Sequence, residues 1–213
     1  MNKIKACIFD LDGTIVDSMF LFGINIVNTL QSYGVTPPED IVRIVTPIGY
    51  NNCIDYCIDQ FKLKTTHEEM LGKMDAFALP YYRDTILAKE YTKDFFEKLK
   101  SQNIKICLLT ASPRRFFEPC LERVGLLKYF DNAWSSEDFC LSKNNPEIYR
   151  RAAKKIGIKP EEIMFFDDNK ISLETAKSAG MHTTGVFDET SSADEEIIRT
   201  SNDNYIKSFK DLL

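Results

Sequence analysis

Between residues 90 and 186 the chain alternates amphipathic segments with short apolar runs, and this alternation constrains its fold more than any other feature. The apolar runs occupy residues 104–109, 133–134, 163–166 and 183–186, and an earlier run occupies residues 6–9. Short apolar runs that alternate with helical segments are typical of buried strands in a parallel sheet with helices on both faces. Because crossovers between parallel strands share one handedness, we expect the carboxyl ends of these strands to lie along one edge.

The segments between the apolar runs carry signals for the beginnings and ends of helices. Ser112 and Pro113 offer an N-cap and a first-turn proline for a helix that continues to Val124. Further helices are predicted over residues 92–102, 146–156 and 171–179. Residues 190–196 are interpreted as a polar surface linker. Together with the strands, these helices predict the α/β class.

Residues 16–85 have a different pattern. Helix-like apolar spacing recurs over residues 17–33, 50–63 and 66–83, another helix is predicted to begin at residues 37–40, and no run resembles a strand. We therefore predict a helical domain of residues 16–85, inserted into an α/β domain formed by residues 1–15 and 86–213.

The composition is that of an ordinary globular protein. Of 213 residues, 44% are hydrophobic and 28% are charged, and the formal net charge is -5. Lysines and arginines are spread along the chain, so we expect no nucleic-acid partner. No apolar run has the length of a signal-peptide core or a membrane span, so we expect a cytoplasmic protein with no membrane partner. No unassigned apolar stripe predicts an interface, and a monomer is expected.

The 6 cysteines and 2 histidines lack the spacing of a zinc site. Cys7 and Cys107 lie inside apolar runs, where a free thiol packs as a small hydrophobic group. Cys53 and Cys57 lie on one face of a predicted helix, but no histidine completes a ligand set. We therefore expect no zinc.

Polar side chains follow three of the apolar runs, at the predicted carboxyl ends of the strands. They are Asp10 and Asp12, Thr110 and Ser112, and Asp167 and Asp168. If these strands are neighbours, one sheet edge gathers several carboxylates, which repel one another unless a cation neutralises them. Oxygen ligands without histidine or cysteine favour a hard ion such as Mg²⁺. The sequence therefore predicts a magnesium site at this edge.

Each of these signals also has a purely structural interpretation. Asp12-Gly13 is a common turn sequence, and Asp167-Asp168-Asn169 could cap a helix. Lys143, just before a predicted helix, could be solvated or could hold an anionic group at the acidic site. The residues alone leave these alternatives open.

Four segments, taken together and in order, resemble the four motifs of the haloacid dehalogenase superfamily. They are Asp10-Leu11-Asp12-Gly13-Thr14, Leu108-Leu109-Thr110-Ala111-Ser112, Lys143 followed by Asn144-Asn145-Pro146-Glu147-Ile148-Tyr149, and Phe165-Phe166-Asp167-Asp168-Asn169. The helical insertion resembles the C1-type cap, and residues 205–209 are similar to a C-terminal segment of phosphoglycolate-phosphatase-like members. The resemblance implies a Rossmann-like core, with a parallel sheet flanked by helices, and a small all-helical cap domain. It points to the branch that includes phosphoglycolate phosphatases and β-phosphoglucomutases.

The resemblance also implies phosphoryl transfer in two steps. In this family the first aspartate of the first motif is the nucleophile, which makes Asp10 the residue that forms an aspartyl-phosphate. The second aspartate, Asp12, would be the general acid and base. Mg²⁺ would be held by Asp10, the backbone carbonyl of Asp12 and Asp168, with Asp167 bound directly or through water.

The phosphoryl oxygens of the substrate would be bound by Thr110, by the backbone N–H of Ala111 and by Lys143. The implied substrate is a small phosphorylated metabolite, such as a sugar phosphate, phosphoglycolate or a nucleotide. The cap would close over the site and contact the substrate.

Several residues bear on which reaction this chain catalyses. Asp12 favours phosphate esters, because dehalogenating members, whose halide leaving group needs no proton, lack this aspartate. In the cap segment Ile48-Gly49-Tyr50-Asn51-Asn52, Asn52 stands where β-phosphoglucomutases carry an arginine for a second phosphate, which favours a hydrolase over a mutase. Lys143-Asn144-Asn145-Pro146 departs from the common Lys-Pro-x-Pro pattern but retains the lysine and the helix-starting proline.

Three alternatives to a phosphatase remain. They are a phosphosugar mutase, a phospho-acceptor signalling domain and a non-catalytic phospho-ligand-binding relative. A receiver domain also uses aspartate, threonine, lysine and Mg²⁺, but its paired acids come early in the chain and it has no helical insertion of this size. The intact set of Asp10, Asp12, Thr110, Lys143 and Asp168 favours an enzyme.

Overall fold

The computed structural model describes residues 4–45 and 50–213 of the chain. Contacts between residues divide it into two units: one combines the chain up to Asp17 with Ile86–Leu213, and the other is Ser18–Thr85. The larger unit contains the strands of the described residues, and the smaller unit is built from helices.

The smaller unit has an apolar core of its own. Its helices are α1 (Phe20–Ser32), α2 (Ile41–Val45), α3 (Asn52–Phe61) and α4 (His67–Asp84). Buried side chains from these helices, including Ile26, Cys53 and Met74, pack in one cluster. The hydroxyl of Thr66 accepts the backbone N–H of Glu69, and the Glu69 carboxylate accepts the backbone N–H of Thr66, which fixes the start of α4.

The larger unit is built around a six-stranded parallel sheet. Its strands are β1 (Ala6–Phe9), β2 (Lys105–Thr110), β3 (Asn132–Ser135), β4 (Ile163–Asp167), β5 (His182–Val186) and β6 (Asn204–Ile206). Their order across the sheet is β3-β2-β1-β4-β5-β6. Phe9 of β1 lies beside Leu108 of β2 and Phe166 of β4. The residues that follow β1 therefore emerge between the ends of β2 and β4.

Helices cover both faces of this sheet. They are α5 (Thr92–Ser101), α6 (Arg114–Arg123), α7 (Pro146–Ile156), α8 (Lys170–Ser178) and α9 (Glu195–Ser201). Burial on both faces explains why the strands are almost continuously apolar. The predicted α/β class, with a Rossmann-like parallel sheet flanked by helices, is confirmed.

An aromatic cluster packs beneath the end of β1 on one face of the sheet. The rings of Phe9 and Phe166 are stacked with their centroids 4.5 Å apart. Phe96 lies 4.9 Å from Phe9, and Phe95 stacks on Phe209 near the C-terminus at 5.5 Å. Close aromatic packing of this kind makes the ends of the central strands rigid, and the polar residues that follow them start from fixed positions.

The chain leaves and re-enters the larger unit at adjacent points. The backbone N–H of Asp17 donates to the carbonyl of Leu87 at 2.9 Å, and the backbone N–H of Lys89 donates to the carbonyl of Ile15 at 2.9 Å. An isolated antiparallel bridge lies between these two hydrogen bonds. The two ends of the inserted segment are therefore fixed next to each other.

The prediction that Ser112 caps the following helix is wrong. Helix α6 begins at Arg114, and its N-cap residue, Pro113, makes no side-chain cap hydrogen bond. The Ser112 hydroxyl has a different partner, described below.

The prediction of a polar surface linker over residues 190–196 is confirmed in part: none of these residues is buried, but the segment is helical. This segment forms a 3-10 helix over Glu189–Asp194 and the first turn of α9. The carboxylate of Asp188 accepts the backbone N–H of Thr190 and so begins the 3-10 helix. Ile198 of α9 is buried against the sheet and fixes the end of the segment.

The described helices include none that is both long enough and apolar enough to span a membrane.

Candidate active site

Acidic and polar side chains meet where the carboxyl ends of β1, β2 and β4 lie side by side. Asp10 directly follows β1, Thr110 is the last residue of β2, and Asp167 is the last residue of β4. The backbone N–H of Asp10 donates to the carbonyl of Phe166 at 2.9 Å, so β1 and β4 stay paired up to the site. All three polar side chains are buried. The structure brings together the three strand ends that the sequence singled out.

Lys143 links two of the buried carboxylates. It lies in the loop before α7, and its Nζ donates to Oδ1 of Asp10 at 2.7 Å and to Oδ2 of Asp167 at 2.6 Å. Only 8% of the lysine side chain is exposed, and the ammonium lies 5.5 Å from the centre of the Phe165 ring. A buried ammonium requires such partners, because the two carboxylates replace the water that it has lost.

Asp168 supplies a third buried carboxylate. Its Oδ1 accepts a hydrogen bond from the hydroxyl of Thr14 at 3.0 Å, and its Oδ2 accepts one from Ser191 at 3.1 Å. One oxygen each from Asp10, Asp167 and Asp168 lies within 4.8 Å of the others. Three carboxylate oxygens at this spacing, without nitrogen or sulfur ligands, fit a hard divalent cation such as Mg²⁺. A buried acidic cluster that could bind the predicted metal is therefore present.

The electrostatics of the cluster also favour a cation. Burial raises the pKa of Asp10 well above its ordinary range, although Lys143 partly offsets the effect. Burial, followed by repulsion from Asp167 and Asp188, raises the pKa of Asp168 to about 7. Burial lowers the pKa of Lys143, but the neighbouring carboxylates outweigh it and the net direction is upward. When Asp10, Asp167 and Asp168 are all ionised, their negative charge exceeds the single positive charge of the lysine. A divalent cation would compensate for the difference.

Gly13 allows the loop after β1 to approach Asp168 closely. Its φ is +77°, a conformation that residues with a side chain rarely adopt. A Cβ atom at this position would lie 2.8 Å from the carboxylate atoms of Asp168. Any side chain at position 13 would therefore displace the Asp168 carboxylate.

We expect Gly13→Ala to lower the stability of the protein, and its stabilisation by Mg²⁺, more than Gly125→Ala does. Gly125 has a similar φ of +72° and open space around its Cβ position, so its substitution reports backbone strain alone. That strain lowers the free energy of unfolding by roughly 1 kcal/mol. Thermal unfolding with and without Mg²⁺ measures both effects. Equal losses in the two variants would show that the close approach to Asp168 is unimportant.

Asp12 contacts the loop after β2. Its Oδ2 accepts a hydrogen bond from the hydroxyl of Ser112 at 2.5 Å, and its side chain is partly exposed. The hydroxyl of Thr110 accepts the backbone N–H of Ser112 at 3.0 Å, and Ala111 between them is exposed. Asp12, Thr110 and Ala111 therefore lie together, and among the described residues the carboxylates close enough to share a cation are those of Asp10, Asp167 and Asp168.

The sequence did not predict two of these contacts, that of Ser112 with Asp12 and that of Ser191 with Asp168. The position of Ser112 at the end of a strand was a usable signal, but its residue type favoured a helix cap. Ser191 lies in the segment interpreted as a linker, and its contact with Asp168 joins residues 23 positions apart. No local pattern marks such a contact.

The fold and the site together define the class of this protein. A parallel α/β sheet that gathers buried aspartates and a lysine at its carboxyl edge has these groups where open α/β folds bind their ligands. The chain belongs to the haloacid dehalogenase-like hydrolase family, whose sequence profile matches residues 4–180. The predicted family is confirmed, and the protein is an enzyme of the hydrolase class.

Known relatives resemble the chain over most of its length. It is 27% identical over 177 residues to a phosphorylated carbohydrates phosphatase of Thermotoga maritima, a match that covers 83% of this chain and 82% of the relative. It is 26% identical over 217 residues to the pyrophosphatase PpaX of Oceanobacillus iheyensis. This match covers 99% of this chain and 96% of the relative. The crystal structure of CbbY from Rhodobacter sphaeroides in complex with phosphate matches with a TM-score of 0.84 at 20% identity, covering 98% of this chain and 96% of that one. This structural match shows a shared fold.

Proposed function

We propose that the protein is a Mg²⁺-dependent phosphoric monoester hydrolase that acts on a small phosphorylated metabolite through an aspartyl-phosphate on Asp10. The observation that carries the proposal is the setting of this aspartate. Lys143 binds one of its oxygens, and oxygens of Asp167 and Asp168 lie close enough to share a cation with it. The names of the relatives, a phosphatase of phosphorylated carbohydrates and a pyrophosphatase, support a phosphorylated substrate.

Asp10 is suited to attack on phosphorus. The ammonium of Lys143 binds Oδ1, which orients the carboxylate and leaves Oδ2 to form the new bond. In the first step Oδ2 attacks phosphorus, and the bond between phosphorus and the oxygen of the leaving alcohol breaks. In the second step a water molecule attacks the phosphorus of the aspartyl-phosphate, which releases inorganic phosphate and restores Asp10.

Asp12 is proposed to move the protons of both steps. Its carboxyl group gives a proton to the departing alcohol oxygen, and the resulting carboxylate takes a proton from the attacking water. The hydrogen bond from Ser112 at 2.5 Å holds one of its oxygens in place. Its partial exposure allows it to reach a bound substrate.

The phosphoryl oxygens would be bound by Thr110 and by the backbone N–H of Ala111, at the end of β2, and by Lys143, in the loop before α7. When bound between Asp10, Asp168 and the backbone carbonyl of Asp12, with Asp167 direct or through water, Mg²⁺ would let an anionic carboxylate approach an anionic phosphoryl group.

The helical segment of residues 16–85 is proposed to act as a C1-type cap that selects the substrate and excludes water. Its separate apolar core supports this role, because a unit that packs by itself can carry a binding surface.

Asn52 supports a hydrolase over a phosphosugar mutase. It is the first residue of α3 and is exposed, and its neutral side chain offers no charge for a second phosphate. Ile48 and Gly49, which belong to the same predicted cap pattern, lie outside the described residues.

Phosphate release from a panel of sugar phosphates, nucleotides, phosphoglycolate and pyrophosphate, with Mg²⁺ or with EDTA, tests the proposed function. We expect release from at least one substrate, and we expect EDTA to abolish it. Interconversion of sugar phosphates without net release would instead favour the mutase. A wild-type enzyme that releases phosphate from none of these substrates would contradict the proposal.

We expect Mg²⁺ to raise the melting temperature more at about pH 8 than at about pH 5, because Mg²⁺ and a proton compete for the Asp168 carboxylate of the folded protein. The pKa of Asp168 is raised to about 7, so the folded metal-free protein holds a proton that the unfolded chain has lost. Stability from this group is therefore fully present below the ordinary aspartate pKa of 3.8, declines as the pH rises from there to about 7, and is lost above pH 7, where the buried carboxylate is ionised. Mg²⁺ binds the ionised form and reverses the decline. Differential scanning fluorimetry measures this dependence, and Asp168→Asn should remove most of it.

A further inference from the structure

Asp168 is held differently from the other two carboxylates of the cluster. Asp10 and Asp167 are ion-paired with Lys143. Asp168 instead accepts a hydroxyl at each oxygen, and that of Ser191 lies 3.1 Å from Oδ2. Within residues 4–45 and 50–213 it pairs with neither a lysine nor an arginine. Neutral donors fix the direction of a carboxylate without neutralising it, so the negative charge of Asp168 remains available to a cation.

Ser191 lies in a turn that Asp188 fixes. The carboxylate of Asp188 accepts two hydrogen bonds from Thr190, one from the backbone N–H at 3.0 Å and one from the side-chain hydroxyl at 2.6 Å. The backbone N–H of Ser191 donates to the carbonyl of Asp188 at 3.1 Å. Asp188 itself is buried, with 7% of its surface exposed. These bonds give the Ser191 hydroxyl a defined position.

Lys89 forms hydrogen bonds both to this turn and to the loop after β1. Its Nζ donates to Oδ2 of Asp188 at 3.1 Å, and its backbone N–H donates to the carbonyl of Ile15 at 2.9 Å. The residue before Ile15 is Thr14, whose hydroxyl bonds to the other oxygen of Asp168 at 3.0 Å. One lysine thus connects the two segments from which Asp168 receives its hydroxyl groups.

From this arrangement we infer that Ser191 is a positioning residue for the divalent cation: it holds Asp168 in the orientation that binds the metal, and the Asp188–Lys89 ion pair holds Ser191. The inference rests on the metal-dependent function proposed above, and it adds a residue from outside the four motifs. Without the Ser191 hydroxyl, the Asp168 carboxylate keeps only its bond to Thr14, so its direction is less well fixed and its affinity for the cation falls. The serine is only partly buried, so its removal should leave the fold intact.

Mn²⁺ binding to the substrate-free protein tests this role, with unbound Mn²⁺ measured by electron paramagnetic resonance. We expect Ser191→Ala to raise the Mn²⁺ dissociation constant about 10-fold or more, as for other hydrogen bonds to a metal-ligating group. Ser191→Thr retains the hydroxyl and should restore most of the affinity. Ser192→Ala makes the same change at the adjacent, exposed serine and should have no effect.

A dissociation constant for Ser191→Ala that equals that of Ser192→Ala would overturn the inference. So would a Ser191→Thr variant as weak as Ser191→Ala, or a Ser191→Ala variant that melts well below wild type in EDTA, because each would indicate a general structural effect. Phosphate release at saturating Mg²⁺ is measured in parallel. A protein with Ser191-dependent Mn²⁺ binding but no phosphate release would support the positioning role and refute the proposed function alone.

Discussion

Asp10→Asn is expected to reduce phosphate release by about 10⁴-fold or more, the size of effect seen when a covalent nucleophile is removed. An amide oxygen cannot form the aspartyl-phosphate, although asparagine has nearly the same shape. The melting temperature should stay near that of wild type. Lys143 keeps its bond to Asp167 at 2.6 Å, and the substitution removes a carboxylate that is unfavourably buried. The initial rate of phosphate release and thermal unfolding together measure this result.

Asp59→Asn is the matched control for this variant, because it makes the same change at an exposed aspartate of α3. It should retain wild-type activity toward a small substrate such as p-nitrophenyl phosphate. If Asp10→Asn released phosphate at a rate near that of wild type, Asp10 would not be the nucleophile.

Lys143→Met is expected to lower both stability and activity. Removing one partner of a buried ion pair lowers the free energy of unfolding by about 3–5 kcal/mol, because a buried charge is left uncompensated. Here the lysine is 8% exposed and serves two carboxylates, Asp10 and Asp167. Phosphate release should fall by about 10²- to 10³-fold, since a fixed charge on the phosphoryl oxygens is lost.

The stability loss of Lys143→Met should depend on pH and on metal. Burial already raises the pKa of Asp10. Without the lysine, burying the ionised carboxylate lowers the free energy of unfolding, whereas the protonated form is buried with little penalty. The loss should therefore be larger at about pH 8 than at about pH 5, and Mg²⁺ should reduce it. Chemical denaturation at both pH values measures the effect. Lys154→Met, at an exposed lysine of α7, is the control, and equal losses in the two variants would refute the role of Lys143 in neutralising the site.

Local sequence was sufficient to predict the α/β fold class and the sheet edge at which the candidate site residues meet. The apolar runs at residues 6–9 and 163–166 correspond to β1 and β4, and the aspartates that follow them meet because parallel strands end at the same edge. Helix α7 was predicted with its bounds, because Pro146 and Gly157 mark its ends. Short-range signals of this kind are strong wherever a strand or helix is buried on its apolar face.

Long-range contacts could not be predicted in this way. Lys143 reaches Asp10 across 133 residues and Asp167 across 24, so residue spacing alone could not separate a solvated lysine from one that bridges the site. Strand β6 was not predicted, because it has three residues and only Ile206 is buried. Ser112 has the residue type and position of a helix cap, and only the fold shows that its hydroxyl belongs to Asp12.

The adjacent exit and return of the chain at Asp17 and Leu87 has a consequence for how such enzymes diversify. Because a hydrogen bond between the backbone N–H of Asp17 and the carbonyl of Leu87 joins the two ends of the insertion, we expect the larger unit to accept a different segment between them. The proposed cap role of this segment therefore predicts that replacing residues 18–85 changes substrate preference without altering the strand ends that carry Asp10, Thr110 and Asp167.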